Sequence, residues 1–241
     1  MPRQARVKAA GIPQHVVQRG NNHSVCFVTG DDYRFYLCHL RDLADRHGCA
    51  VHAYVLMSDH VHLLITPERA DGLSRLMKQL SQRYVQYFNR AYGRRGTLWD
   101  GRFRSGLVQA QDLLLRCCRY VELNPVRAGI VRHPGEYEWS SYRCNADGSP
   151  SVLVRPHAEY LALGSTDGER REAYRALCRT APDAAEVAAI SRCVYRGRAL
   201  DGDRLREEMA RARARRATEG WPRRRRSDAR LPTEMMSQQT T

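Results

Sequence analysis

Two histidines separated by one residue, His60 and His62, are the side chains of this sequence best suited to hold a metal ion. They lie in an apolar run, residues 54–65, of the kind that forms a strand. Because alternate side chains of a strand project from the same face, both imidazoles are expected close together on one face. A His-x-His pair is also compatible with ordinary strand histidines that bond the backbone or solvent, so other residues must decide.

Tyr120 and Asn124 supply the other groups that could do chemistry. They are four residues apart at the end of a predicted helix over residues 113–123, so they share one helical face. A tyrosine hydroxyl can attack a phosphodiester, and an amide oxygen one turn away can reach a metal ion. The pattern indicates nucleophilic catalysis assisted by a cation. Taken alone, Tyr120 is better explained as a core tyrosine whose hydroxyl bonds a backbone carbonyl.

The charge of the chain indicates a polyanionic partner. Its 241 residues include 40 Lys and Arg against 26 Asp and Glu, a net charge of +14. Residues 204–241 hold eleven arginines and five acidic residues, which account for six of these charges and leave eight on residues 1–203. The folded part is therefore basic too, and phosphate backbones are the commonest partner of such proteins.

Cysteine usage and hydropathy restrict the class of protein. None of the eight cysteines forms a Cys-x-x-Cys pair, and two of them are adjacent, which does not suit an ordinary disulfide. We expect reduced, mostly buried thiols. No segment approaches about 18 consecutive apolar residues, and the amino terminus lacks the apolar stretch of a signal peptide. These features predict a cytoplasmic protein without a membrane partner.

Hydrophobic periodicity predicts a first domain over residues 1–148 that mixes strands and helices. The expected strands cover residues 12–19, 49–57, 60–66 and 105–109. The expected helices begin after Asp31 or Asp32, near Gly72, at 113 and at Pro125. These elements predict an α+β fold, in which an antiparallel sheet of four or five strands packs against helices.

A small helical domain is expected over residues 149–216, after a polar boundary that contains glycine and proline. Its predicted helices cover Asp167–Arg179, Asp183–Tyr195 and Leu205–Arg216. Residues 217–241 have little to bury and are predicted to be a disordered basic tail.

Six arginines and two aromatic residues are candidates for DNA contacts, because cations hold the phosphate backbone and aromatic rings stack on bases. They are Arg83, Arg90, Arg94, Arg95, Trp99, Arg102, Phe103 and Arg104. The alternatives are a solvated helix face and a tryptophan that anchors its loop. The other histidines with no comparable partner spacing are interpreted as structural: His15, His39, His47, His52, His133 and His157.

Four sequence blocks, in order over about residues 12 to 145, resemble the single-tyrosine HUH transposases of the insertion-sequence type, and among them the REP-associated tyrosine transposases. The blocks are residues 18–22 (QRGNN), 55–64 (VLMSDHVHLL), 96–103 (GTLWDGRF) and 120–129 (YVELNPVRAG). The similarity continues through residues 139–142 (WSSY), and residues 150–216 resemble the helical extension of longer members.

The resemblance implies a ferredoxin-like HUH fold and a role for each site residue. His60 and His62 would hold Mg²⁺ or Mn²⁺, and Tyr120 would form a 5′-phosphotyrosine link and free a 3′-hydroxyl. Asn124 stands where relatives place a third polar ligand, often glutamine. The implied substrate is single-stranded DNA folded into imperfect hairpins, and relatives occur as monomers and homodimers.

Two other functions remain open from the sequence. One is a domesticated protein that binds DNA hairpins without nicking them. The other is a metal-dependent nuclease that uses water and leaves Tyr120 in a structural role. The presence of His60, His62 and Tyr120 together favours the transposase, since a protein that only binds DNA has no need of all three.

Overall fold

A four-stranded antiparallel sheet organises the chain in the computed structural model, which describes residues 9–109, 111–197, 199, 200, 203 and 207. The strands lie in the order β2-β3-β1-β4. Their bounds are β1 (Gln14–Arg19), β2 (Cys49–Leu56), β3 (His60–Pro67) and β4 (Arg104–Leu107). This order, with a helix between β1 and β2 and another between β3 and β4, is the expected ferredoxin-like α+β fold.

One face of the sheet is covered by α1 (Gly30–Arg46) and α2 (Gly72–Ala91). Both helices are amphipathic, and their apolar residues meet alternate residues of the strands. We call this cluster the first core; it includes Val16, Val61, Leu63 and Ile65 of the sheet and Tyr36, Leu40, Leu76 and Leu80 of the helices.

The opposite face packs against α3 (Gln111–Glu122) and the helices that follow it. These are α4 (Asn124–Arg127), α5 (Tyr142–Asp147), α6 (Ala158–Leu161), α7 (Asp167–Arg179) and α8 (Ala184–Arg196). We call this cluster the second core; it includes Ala53, Val55, Leu64, Leu113, Cys117, Val121, Tyr174 and Ile190. Helices of the C-terminal extension therefore share a core with the sheet.

A β-bulge in β2 changes which residues of this strand face each core. Val51 pairs with Ile65 and Ala53 pairs with Leu64, so His52 is an extra residue between them. The bulge turns Val51 to the first core and Ala53 to the second. His52 is held by the Arg155 carbonyl and the Thr66 hydroxyl, at 2.7 Å and 2.8 Å.

Most predicted elements agree with the structure to within two residues, but the cap of α1 differs. Thr29 is the N-cap, and Asp32 lies in the first turn, where its carboxylate accepts backbone hydrogen bonds from Val28 and Thr29. The residues 205–216 predicted as a helix lie outside the described residues except for 207, and the predicted tail lies wholly outside them. No described helix is long and apolar enough to span a membrane, and all eight cysteines are free.

The carboxyl group of Glu122, in the last turn of α3, ties this helix to its neighbours. The residue is fully buried and accepts hydrogen bonds from the Ser141 hydroxyl, the Asn145 amide at 2.8 Å and the Tyr174 hydroxyl at 2.7 Å. Burial raises the pKa of the Glu122 carboxyl to about 7, although the three hydrogen bonds act in the opposite direction.

The raised pKa predicts a pH-dependent contribution to stability. Because the folded protein holds the Glu122 proton more tightly than the unfolded chain does, protonation of Glu122 stabilises the folded state. This stabilisation is fully present below the ordinary pKa of 4.5 and is lost as the pH rises through about 7. Relative to Glu122→Gln, the wild-type free energy of unfolding should fall by about 2 kcal/mol between about pH 5 and pH 8. Urea unfolding of both proteins measures this change. Parallel pH profiles would contradict it.

Candidate active site

The two histidines of β3 lie on the face of the sheet that packs against α3. Their ring centroids are 5.1 Å apart, and the rings are nearly perpendicular. His60 Nδ1 bonds the Asp59 carboxylate at 2.6 Å, and His62 Nδ1 bonds His15 Nε2 at 2.9 Å. Both rings therefore use Nδ1 within the protein and keep Nε2 for another partner.

His15 belongs to this site, contrary to its interpretation as a structural histidine without a partner. It lies on β1 beside Val17, which is paired with His62, and its ring stacks on the His62 ring at 5.1 Å between centroids. One feature of the sequence relates to this position of His15. In a strand His15 and Val17 share a face, but only the alignment of β1 with β3 shows that His62 lies on that face too.

Both metal-binding candidates are held in the neutral form. Burial lowers the pKa of His60, and the nearby Arg19 and Arg127 act in the same direction, while Asp59 opposes them. Burial lowers the pKa of His62 well below its usual value, and the neighbouring His15 adds to the effect. A neutral imidazole is the form that binds a metal ion.

Tyr120, on α3, faces the histidines across the interface between helix and sheet. Its ring centroid lies 5.7 Å from that of His62 and 5.5 Å from that of His15, both with the rings edge to face. The side chain is buried, and its hydroxyl shares a 2.9 Å hydrogen bond with Ser191. The nucleophile predicted from the sequence and the two β3 histidines thus lie in one site.

Asn124 lies one turn beyond Tyr120, and its carboxamide is fully engaged. Its nitrogen donates to the Tyr120 carbonyl at 3.1 Å and to the Val121 carbonyl at 3.0 Å. The Val121 carbonyl needs this donor because Pro125, four residues later, has no N–H. Its oxygen accepts from Arg127 at 2.7 Å. Asn124 therefore caps the carboxyl end of α3, and its side-chain oxygen is bonded to the guanidinium of Arg127.

Arg127 is a site residue that sequence reasoning missed. Its guanidinium lies over the Tyr120 ring, 4.3 Å from the centroid, and also donates to the Tyr120 carbonyl at 2.8 Å. The sequence contains Arg127 in the block around Tyr120, but a lone arginine there gives no sign of folding back over the ring.

Helix α8 covers one side of the site. Besides Ser191, it contributes Tyr195, whose ring receives the guanidinium of Arg104 at 5.2 Å and that of Arg19 at 5.9 Å. Arg19 lies opposite His60 in the sheet, and its buried Nε has no hydrogen-bond partner among the described residues. Residues far apart in sequence therefore place positive charge beside the histidines.

The histidine pair fits a divalent cation as two nitrogen donors. The carboxylate of Asp59 on His60 is the outer partner that metal-binding histidines commonly have. Within the described part of the chain, no three His, Cys, Asp or Glu side chains form a metal-binding group. Two histidine ligands leave further coordination positions for other groups, substrate and water, as catalytic metal sites do.

The predicted DNA-contacting residues divide between two parts of the surface. Arg83 and Arg90 line a groove on the α1–α2 layer, which the sheet separates from the histidines. Arg94, Arg95, Arg102 and Arg104 are exposed in and after the loop that follows α2. Trp99 and Phe103 are 3% and 6% exposed and belong to the first core, so their rings are not a stacking surface in this structure.

Comparison with known proteins finds one matching family model and several solved structures that are similar to this chain. Residues 9–124 match the family model described as IS200-like transposase. A REP-associated tyrosine transposase solved with a REP hairpin is 18% identical, with a TM-score of 0.51, and the match covers 65% of this chain and 93% of that one. A candidate transposase from Deinococcus radiodurans R1 is 22% identical, with a TM-score of 0.35, over 50% of this chain and 96% of that one. No curated protein matches the chain.

The contacts of Arg127 predict a cost for its removal. In Arg127→Ala the Asn124 oxygen loses its donor while it stays buried, which should lower the free energy of unfolding by about 1–3 kcal/mol. Denaturant unfolding measures the loss. Arg132→Ala, at an exposed arginine, is the matched control and should change stability by no more than about 0.5 kcal/mol. Equal effects of the two substitutions would contradict the role of Arg127.

Proposed function

Residues 9–124 of this chain belong to the IS200-like transposase family, and on that premise we propose that it nicks and rejoins single-stranded DNA through a covalent bond to Tyr120. Family membership gives the chain a transposase role. The observation that carries the mechanism is the approach of the Tyr120 ring to that of His62, at 5.7 Å between centroids. A phenol beside paired neutral imidazoles suits attack on a phosphodiester.

In the proposed reaction the Tyr120 oxygen attacks the phosphorus of a DNA phosphodiester. A bond forms between Tyr120 and the 5′-phosphate as the bond to the 3′-oxygen breaks. The phenol loses its proton, and the released 3′-oxygen gains one. Because one phosphodiester replaces another, the reverse reaction rejoins strands without ATP.

His60 and His62 are the residues that would hold the divalent cation. When bound, Mg²⁺ or Mn²⁺ polarises a phosphate oxygen of the substrate. Asp59 orients His60 through its 2.6 Å hydrogen bond, and the lowered pKa values of both histidines favour neutral imidazoles, each of which has one lone pair. Asn124 remains the predicted third ligand. In this role its side-chain oxygen would break its hydrogen bond with Arg127.

Cations beside the site are suited to hold the DNA backbone. In the part of the chain that the structure describes, the buried Nε of Arg19 has no hydrogen-bond partner, and Arg104 lies next to Arg19 on the Tyr195 ring. We assign to these two the phosphates nearest the scissile bond, because guanidinium groups there attract anionic oxygens. Phosphates farther away are assigned to Arg83, Arg90, Arg94, Arg95 and Arg102.

The proposed substrate is a DNA hairpin with a single-stranded flank. The relative of similar fold was solved with a REP hairpin, and the net charge of +14 agrees with a nucleic-acid partner. We place the reaction in the cytoplasm, with the chain acting as a monomer or a homodimer.

A metal-dependent nuclease that uses water is the second candidate function. It is favoured by the burial of Tyr120 and by the hydrogen bond between its hydroxyl and Ser191, which together are also what a structural tyrosine would show. A protein that binds hairpins without cleaving them is the third. The three differ in whether DNA is cut and whether it remains attached to protein.

Incubation of labelled hairpin DNA with Mn²⁺ separates these functions. The wild-type protein should form a covalent protein–DNA adduct that survives denaturation, and Tyr120→Phe should abolish it because no other atom replaces the phenolic oxygen. Tyr92→Phe is the matched control and should retain the adduct, because the Tyr92 hydroxyl bonds Asp32 beside the first core, away from the histidines. Cleavage without an adduct would support the nuclease, and binding without cleavage would support the third function.

The hydrogen bond to Ser191 predicts a faster reaction when it is removed. Tyr120 must leave this bond to reach phosphorus, and a neutral hydrogen bond contributes about 1 kcal/mol, so Ser191→Ala should raise the rate of adduct formation roughly fivefold. Rapid-quench measurement of the adduct gives the rate. Ser165→Ala, at an exposed serine, should leave it unchanged. A slower reaction in Ser191→Ala would instead identify Ser191 as an aid to the nucleophile.

A further inference from the structure

The two β3 histidines differ in what supports them from behind. The carboxylate of Asp59 accepts from His60 Nδ1, whereas the partner of His62 Nδ1 is a third imidazole, that of His15. His15 is 1% exposed, and it contacts both the His62 ring and the Tyr120 ring. It therefore contacts both the proposed metal ligand and the proposed nucleophile.

The bond between His15 and His62 restricts where each ring carries its proton. A neutral imidazole has one N–H and one lone pair. If His15 Nε2 donates, the proton of His62 is on Nε2, and that atom has no lone pair for a metal ion. If His62 Nδ1 donates to His15 Nε2, the lone pair of His62 Nε2 is free.

The surroundings of His15 do not decide which of the two rings donates the hydrogen bond. The other ring nitrogen of His15, Nδ1, is buried and has no hydrogen-bond partner in the described structure. No other group of the described residues therefore fixes the tautomer of His15. The ring can accept from His62 with Nε2, in which case the single N–H of His15 is on the buried Nδ1.

We propose that His15 is a positioning residue that accepts the Nδ1 proton of His62 and so keeps the His62 Nε2 lone pair free for the divalent cation. The role rests on the proposed function, in which His62 binds that cation. Outer partners of metal-binding histidines typically contribute 10–100-fold to metal affinity, and we expect an effect of about this size here.

Mn²⁺ binding in the absence of DNA, followed by the EPR signal of the free ion, tests the role of His15. His15→Leu removes the acceptor at similar volume and should weaken Mn²⁺ binding by about 10–100-fold. His15→Gln offers an amide oxygen in place of Nε2 and should bind nearly as the wild-type protein does. His52→Leu, at another buried strand histidine, is the matched control for a general loss of packing and should retain its Mn²⁺ affinity.

The imidazole ¹⁵N chemical shifts of the full-length wild-type protein give a second, independent result. They should show His62 protonated at Nδ1, and a proton on Nε2 would overturn the proposal even if His15→Leu failed to fold. Wild-type affinity in a folded His15→Leu protein would overturn it as well. Absence of Mn²⁺ binding by the wild-type protein is a distinct outcome, which would overturn the cation site of the proposed function and the role of His15 with it.

Discussion

The antiparallel alignment of β1 with β3 is the constraint on which the site depends. Val17 lies opposite His62, and Arg19 lies opposite His60, so the two central strands direct imidazoles and a guanidinium to the same face. A shift of one residue in either strand would turn its polar groups toward α1 and α2. The alternating residues Val61 and Leu63 prevent this shift, because they must be buried in the first core.

The position of Tyr120 depends on how both sides of α3 are held. On one side the buried Glu122 carboxyl connects α3 to α5 and α7, and on the other Arg127 lies over the Tyr120 ring. The Asn124 amide satisfies the carbonyl that Pro125 leaves unpaired. These contacts hold the end of α3 in place, and the Tyr120 hydroxyl is bonded in turn to Ser191 of α8.

The sequence was sufficient for the elements and for the residues with a local pattern. The alternation around His60 and His62 and the helical spacing of Tyr120 and Asn124 predicted the strand and the shared face. Contacts between distant segments were not predictable: His15 reaches His62 through strand pairing, and Ser191 reaches Tyr120 through packing of α8. The exposed loop composition around Trp99 suggested a surface for bases, but the gain from burying a large aromatic ring placed it in the core.

The extra residue at His52 has a consequence for how this sheet tolerates change in length. Residues two apart in a regular strand share a face, but across His52 they do not: Val51 faces the first core and Ala53 the second. Deleting one residue there would turn each preceding residue of β2 toward the opposite core. No side-chain substitution would restore the original facing. Homologous chains that keep both layers should thus vary in length at the loops and keep the spacing between residues 51 and 53.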